Sequence, residues 1–91
     1  MRWHKMSLEG LRKNIDSIDN KIIELLAKRK ELIKEIASIK KEQKKPIIDE
    51  EREQKIIGRL KKLSKEKNLD DKFIASLYKI IIENSREEQE E

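Results

Sequence analysis

The chain of 91 residues has no cysteine, which excludes disulfides, thiolate metal sites and cysteine nucleophiles. One proline and two glycines supply too little turn-forming material for a multi-stranded sheet. No apolar run approaches the roughly 20 residues of a membrane span. The stretch from Met1 to Met6 is polar and lacks the apolar segment of a signal peptide, so the chain reads as cytoplasmic. Its single histidine, His4, lies in that stretch beside Trp3 and is assigned no role. Metal-ligand spacing, a glycine-rich phosphate loop and a nucleophile–base pair are all missing. An enzyme made from these residues needs no metal or cofactor and works by positioning and electrostatic stabilisation.

What is present is charge and periodic Ile and Leu. Charged residues make up 46%, hydrophobic ones 35%, and the net charge is +4. That balance suits an anionic partner, whether nucleic acid, phosphate or a small carboxylate. The apolar positions Leu11, Ile15, Ile18, Ile22, Leu25, Leu32, Ile36 and Ile39 alternate steps of four and three, with one omission, as on a helix stripe. With Ser7 as N-cap and no Pro or Gly between Gly10 and Pro46, a first helix is expected from about Ser7 to Glu42. Its length of roughly 50 Å far exceeds the radius of gyration of about 12 Å for a compact chain of this size. A second copy is needed to bury the stripe, which predicts a dimer.

Pro46 closes the connection, and Asp49 caps a second helix to about Lys65 with an inward stripe of Glu53, Ile56, Ile57, Leu60 and Leu63. Gly58 weakens it slightly. A loop over Glu66 to Leu69 precedes Asp70, the cap of a third helix carrying Phe73, Ile74, Leu77, Tyr78, Ile81 and Ile82. The expected fold is all-α, three helices with one very long, in an intertwined homodimeric bundle. One domain is expected over residues 1–91, with a flexible tail at 1–6 and fraying at 90–91.

Polar residues interrupt the stripes at informative places. Arg29 holds the heptad position between Leu25 and Leu32, and Lys40 lies on the same face about 16 Å further along the helix. Asp49, Arg52 and Glu53 share the first turn of the second helix. Ser85 and Gln89 follow Ile81 at successive i+4 steps. Buried together, such groups need one another or a polar ligand. Taken singly, each has an ordinary explanation. An Arg on a stripe snorkels, Asp49 is an N-cap, an Arg–Glu neighbour pair is solvated, and charged heptads belong to coiled coils.

Taken in order, the residues resemble the all-helical class of chorismate mutases, over about Leu8 to Gln89. The segment Leu11-Arg12-Lys13-Asn14-Ile15-Asp16-Ser17-Ile18-Asp19 looks like that family's L-R-x-x-I-x-x-I/L-D. Leu25-Leu26-Ala27-Lys28-Arg29 is similar to its L-L-x-x-R. Ile39-Lys40 precedes Pro46-Ile47-Ile48-Asp49-Glu50-Glu51-Arg52-Glu53, like its P-I/V-x-D-x-x-R-E. Ile82-Glu83-Asn84-Ser85 and then Gln89 match I-E-x-S followed by Gln.

The resemblance implies a homodimer with two shared sites and chorismate, a dianion, as substrate. Arg29 and Arg12 of the partner subunit would bind its carboxylates, assisted by Ser85. Lys40 and Gln89 would donate to the ether oxygen of the breaking C–O bond. Glu53, with the backbone near Asp49, would hold the ring hydroxyl, and Arg52 would complete the polar wall. Arg12 lies roughly 42 Å along an ideal helix from Lys40, so it can serve a Lys40 site only in another chain. Two alternatives stay open. An isochorismate-pyruvate lyase would keep the fold, and a basic helical adaptor or nucleic-acid-binding protein would not be an enzyme. The interleaving of Lys and Glu around the helices speaks against a nucleic-acid face, and no membrane contact is expected.

Overall fold

The computed structural model describes residues 7–90. The expected flexible stretch 1–6, with Trp3 and His4, lies outside the described residues, as does Glu91. Three helices and no strand are present among the described residues: α1 (Leu8–Glu42), α2 (Glu50–Glu66) and α3 (Asp71–Glu90). Glu90, expected to fray, closes α3.

The helix ends follow from local chemistry. The Ser7 hydroxyl accepts from the Gly10 N–H at 3.0 Å, and the Asp49 carboxylate from the Arg52 N–H at 3.1 Å. Asp70 accepts from the Lys72 N–H at 3.0 Å. Each satisfies a backbone donor that the first turn leaves open. Acidic residues open each helix, and Lys40 and Lys41 close α1, in the sense the helix dipole favours. The C-termini of α1 and α2 end alike. Lys44 and Asn68 take left-handed φ of 57° and 58°. The next N–H reaches back to the carbonyl five residues earlier, Lys45 to Lys40 at 2.8 Å and Leu69 to Ser64 at 2.8 Å. The sequence uses neither of its glycines for these turns.

The chain divides into two units, one ending at Leu32 and the other beginning at Ile33. Among its described residues the first holds α1 as far as Leu32. Its stripe residues Ile15, Ile18, Ile22, Leu25 and Leu32 are all exposed, as are Ile23 and Leu26 beside them.

The second unit contains the remainder of α1, α2 and α3. Here α2 packs on α3. Glu53 near the start of α2 bonds Arg86 near the end of α3, and Lys65 meets Asp71 across the loop, so the two helices run antiparallel. Among the described residues Ile82, at 8% exposure, is the buried apolar one, joined by Ser64 and Ser85. Two details differ from the expected stripes. Leu63 is 41% exposed, because the row through Leu60 continues at i+4 to Ser64 and turns Leu63 about 100° away. Phe73 and Leu77 are exposed as well; Ile74, Tyr78 and Ile82 hold the inner row of α3.

Candidate active site

Pro46 restricts Lys45 to extended backbone. With Lys44 in the left-handed region, it turns the chain sharply after α1, so that the Ile47 carbonyl faces back towards the last turn. The Lys40 ammonium donates to that carbonyl at 2.6 Å. It also donates to Oε1 of Gln89, arriving from α3, at 2.8 Å. Gln89 donates through Nε2 to the Ser85 carbonyl at 3.2 Å, and the buried Ser85 hydroxyl donates to the Ile81 carbonyl at 2.9 Å. A long lysine side chain sacrifices up to about 2 kcal/mol of rotamer freedom when fixed; two charge-assisted bonds offset that. They leave the third ammonium N–H for a further acceptor.

Lys40 lines a cleft of about 590 Å³ together with Lys34, Lys41, Lys45, Glu88 and Gln89. Its four lysines outnumber its two carboxylates, Glu88 and Glu90, so the lining is net positive and suited to an anion. Glu88 contributes a buried carboxylate oxygen without a hydrogen-bond partner among the described residues. A second hollow joins Lys40 and Lys45 to Asp49 and Glu50.

On α2, the Asp49 side chain is occupied as the N-cap, while its carbonyl accepts from the Glu53 N–H at 3.0 Å. Arg52 is exposed and Glu53 half-buried. Both Glu53 oxygens are engaged by Arg86 of α3, Nε donating to Oε2 at 2.8 Å and Nη2 to Oε1. The hydrogen bonds from Arg86 hold the Glu53 carboxyl below its usual range. Burial opposes this, the Arg86 charge adds to it, Asp49 opposes and Lys40 helps. In turn, Glu53 raises Arg86 above the ordinary guanidinium value.

Of the site residues expected from the sequence, the second unit therefore brings Lys40, Gln89 and Ser85 into one hydrogen-bonded chain. Asp49 and Glu53 adjoin it through α2. Arg12, exposed, and Arg29, half-buried, belong to the unit ending at Leu32. Two participants were missed. Arg86 was detectable, since Tyr78, Ile82 and Arg86 form an i+4 row beside the Ile81–Ser85–Gln89 row. The Ile47 carbonyl carried no side-chain signal at all. Among the described residues no group of His, Cys, Asp or Glu is placed to hold a metal, and no helix is long and apolar enough to cross a membrane.

Comparison with known proteins bears on what this arrangement serves. Residues 11–90 match the family model for chorismate mutase type II. The chain belongs to the chorismate mutase type II family. It is 44% identical to a chorismate mutase of Methanocaldococcus jannaschii, over 87% of this chain and 80% of that protein. It is also 42% identical to a bifunctional chorismate mutase/prephenate dehydratase of Buchnera aphidicola subsp. Schizaphis graminum and 38% identical to one of Escherichia coli K12. These matches cover 89% and 86% of this chain but only 21% and 20% of those proteins. The chain thus spans about a fifth of the bifunctional relatives.

Proposed function

We propose that the chain is a chorismate mutase, an isomerase that rearranges chorismate to prephenate on the route to phenylalanine and tyrosine. Family membership carries the reaction, and the Lys40–Gln89 pair carries its location. The rearrangement is unimolecular: the ether C–O bond breaks as a C–C bond forms, and no proton, nucleophile or cofactor takes part. Its barrier falls when the enolpyruvyl side chain is held over the ring and when charge developing on the ether oxygen meets a donor already in place. Lys40, fixed by Ile47 and Gln89 with one N–H to spare, is suited to be that donor. Gln89 has its second amide N–H for the same oxygen. Arg29 and Arg12 of the partner subunit take the carboxylates, and Ser85 assists after its hydroxyl turns from the Ile81 carbonyl. Glu53 and the backbone near Asp49 take the ring hydroxyl, with Arg52 at the wall.

The assembly is an intertwined homodimer, acting in the cytoplasm. Support comes from the exposed Ile and Leu of α1 and from the span of helix between Arg12 and Lys40. The test is loss of chorismate absorbance with purified protein, the product identified after acid treatment. Phenylpyruvate, formed by way of prephenate, is the expected result. No turnover of chorismate, with release of pyruvate and salicylate when isochorismate is supplied, would assign the lyase instead. Arg12→Ala and Lys40→Ala chains, each inactive alone, should regain part of the activity when mixed, because one site of the mixed dimer keeps both residues. No recovery despite proven subunit exchange would rule out the shared site.

A further inference from the structure

Resting on the assignment of Glu53 above, we propose that Arg86 is a positioning residue for this reaction: it neutralises and orients the Glu53 carboxylate, so that a pocket for a dianion can hold a carboxylate against the substrate's hydroxyl.

The observation is the two-point grip of an α3 guanidinium on an α2 carboxylate, one donor on each oxygen. An unpaired carboxylate beside a dianionic ligand repels it, and the repulsion grows as the site closes and water leaves. Pairing with Arg86 cancels that charge at its source while leaving each oxygen a lone pair for a hydroxyl donor. The fork also fixes the plane of the carboxylate, which a point charge does not do. Both side chains retain some exposure, 33% for Arg86 and 20% for Glu53, so the pair borders an open groove rather than a sealed core. That groove runs between α2 and α3, and Ile57, Gly58 and Ile82 line it beside the pair.

Every charged neighbour fits the assignment. Glu53 faces Arg86 from α3, Lys40 from α1 and Asp49 at the cap of its own helix. Arg86 meets Glu50 and Glu83 besides Glu53. Lys40 has its own work at the Ile47 carbonyl and Gln89, and Asp49 adds negative charge. Arg86 is therefore the group that can balance Glu53. Because it holds the carboxyl below its usual range, Glu53 stays ionised as pH falls. Without Arg86 the carboxyl must protonate at higher pH, and the acid limb of kcat/KM must move up with it.

The experiment compares pH profiles of kcat and KM for the dimeric wild type, Arg86→Ala, Arg86→Lys, Glu53→Gln and the Glu53→Gln/Arg86→Ala double variant. Arg86→Ala should lower kcat/KM about tenfold, mainly through KM, and shift the acid limb to higher pH. Arg86→Lys should restore much of the limb position but not the full rate constant. In the Glu53→Gln background, removing Arg86 should cost little further. An equal cost in both backgrounds with an unmoved acid limb would overturn the proposal and leave Arg86 a packing residue. If Glu53→Gln alone keeps full activity, the assignment of Glu53 falls and the proposal falls with it. An impaired Glu53→Gln with additive effects rejects Arg86 alone. Should Arg86→Ala fail to fold by circular dichroism, Arg86→Gln serves the same comparison.

Discussion

The helix up to Leu32 and the chain from Ile33 onward are written in the same alphabet, Ile and Leu three and four apart among Lys and Glu, yet they end differently. In the later part a short loop reverses the chain after α2, so α3 meets α2 and closes over Ile82. The earlier part has no reversal within reach, and its stripe stays exposed. Burying five Ile and Leu side chains is worth about 1.5–3 kcal/mol each, so the stripe represents about 10 kcal/mol. That is comparable with the entire stability of a small domain. Identical periodicity therefore has different outcomes in the two parts: a neighbour in the same chain for one, and for the other an exposed stripe that a second chain would cover in the proposed dimer.

The largest test breaks the earlier part. Ile22→Asp places a charge in the middle of the stripe, and the expected outcome is loss of both the dimer and most helical circular dichroism at micromolar concentration. Asn20→Asp, about 200° around the helix, should leave both intact. An Ile22→Asp protein that sediments as a dimer with native helicity would show that the stripe is not the interface. Next in size is the chemistry of the later part. Lys40→Ala should lower kcat by about 10²-fold or more without dissociating the dimer, since Lys40 touches only the Ile47 carbonyl and Gln89 among its hydrogen-bond partners. Near-normal turnover would remove Lys40 from the mechanism.

The two parts also differ in how far the sequence describes them. Stripe, caps and breaker residues are local signals, so Ser7, Asp49, Asp70 and Pro46 marked the helix limits to within a residue or two. Lys40 and Gln89 were visible as polar interruptions of apolar rows, and the structure joins them by one hydrogen bond. What stayed hidden depends on rotation and contact. Which of Leu63 and Ser64 faces inward is decided by how α2 rolls on α3, a tertiary choice that hydrophobicity alone assigns to leucine. For Arg86 the row position is legible but the partner is not, since an arginine near a helix end is ordinarily solvated. Only the approach of α2 gives it Glu53.

The core of the later part allows a smaller test. Ile82→Ala should cost about 2 kcal/mol, the low end of the range for truncating a buried isoleucine, because this core is thin. Ile80→Ala, on the exposed side of α3, should change stability by no more than about 0.5 kcal/mol. Urea midpoints at one fixed protein concentration separate the two. Equal costs would mean that Ile80 is covered in the assembly, and would extend the interface from the first part to the second.

The smallest expected effect discriminates between two turns of matching shape. Lys44 and Asn68 share a left-handed backbone, φ 57° and 58°, and the same pair of capping bonds. An ordinary L-residue gives up about 1–2 kcal/mol there, while asparagine tolerates the region well. Glycine removes the steric cost but adds about 0.5–1 kcal/mol of unfolded-state freedom. Lys44→Gly should therefore stabilise by about 0.5 kcal/mol, and Asn68→Gly should be neutral or slightly destabilising. Since glycine keeps the left-handed backbone that Lys44 adopts just beyond α1, and with it the placing of the Ile47 carbonyl, the gain should appear in the urea midpoint and leave kcat unchanged. An equal gain at both positions would mean that the side chains, not their backbone preferences, set the stability of these caps.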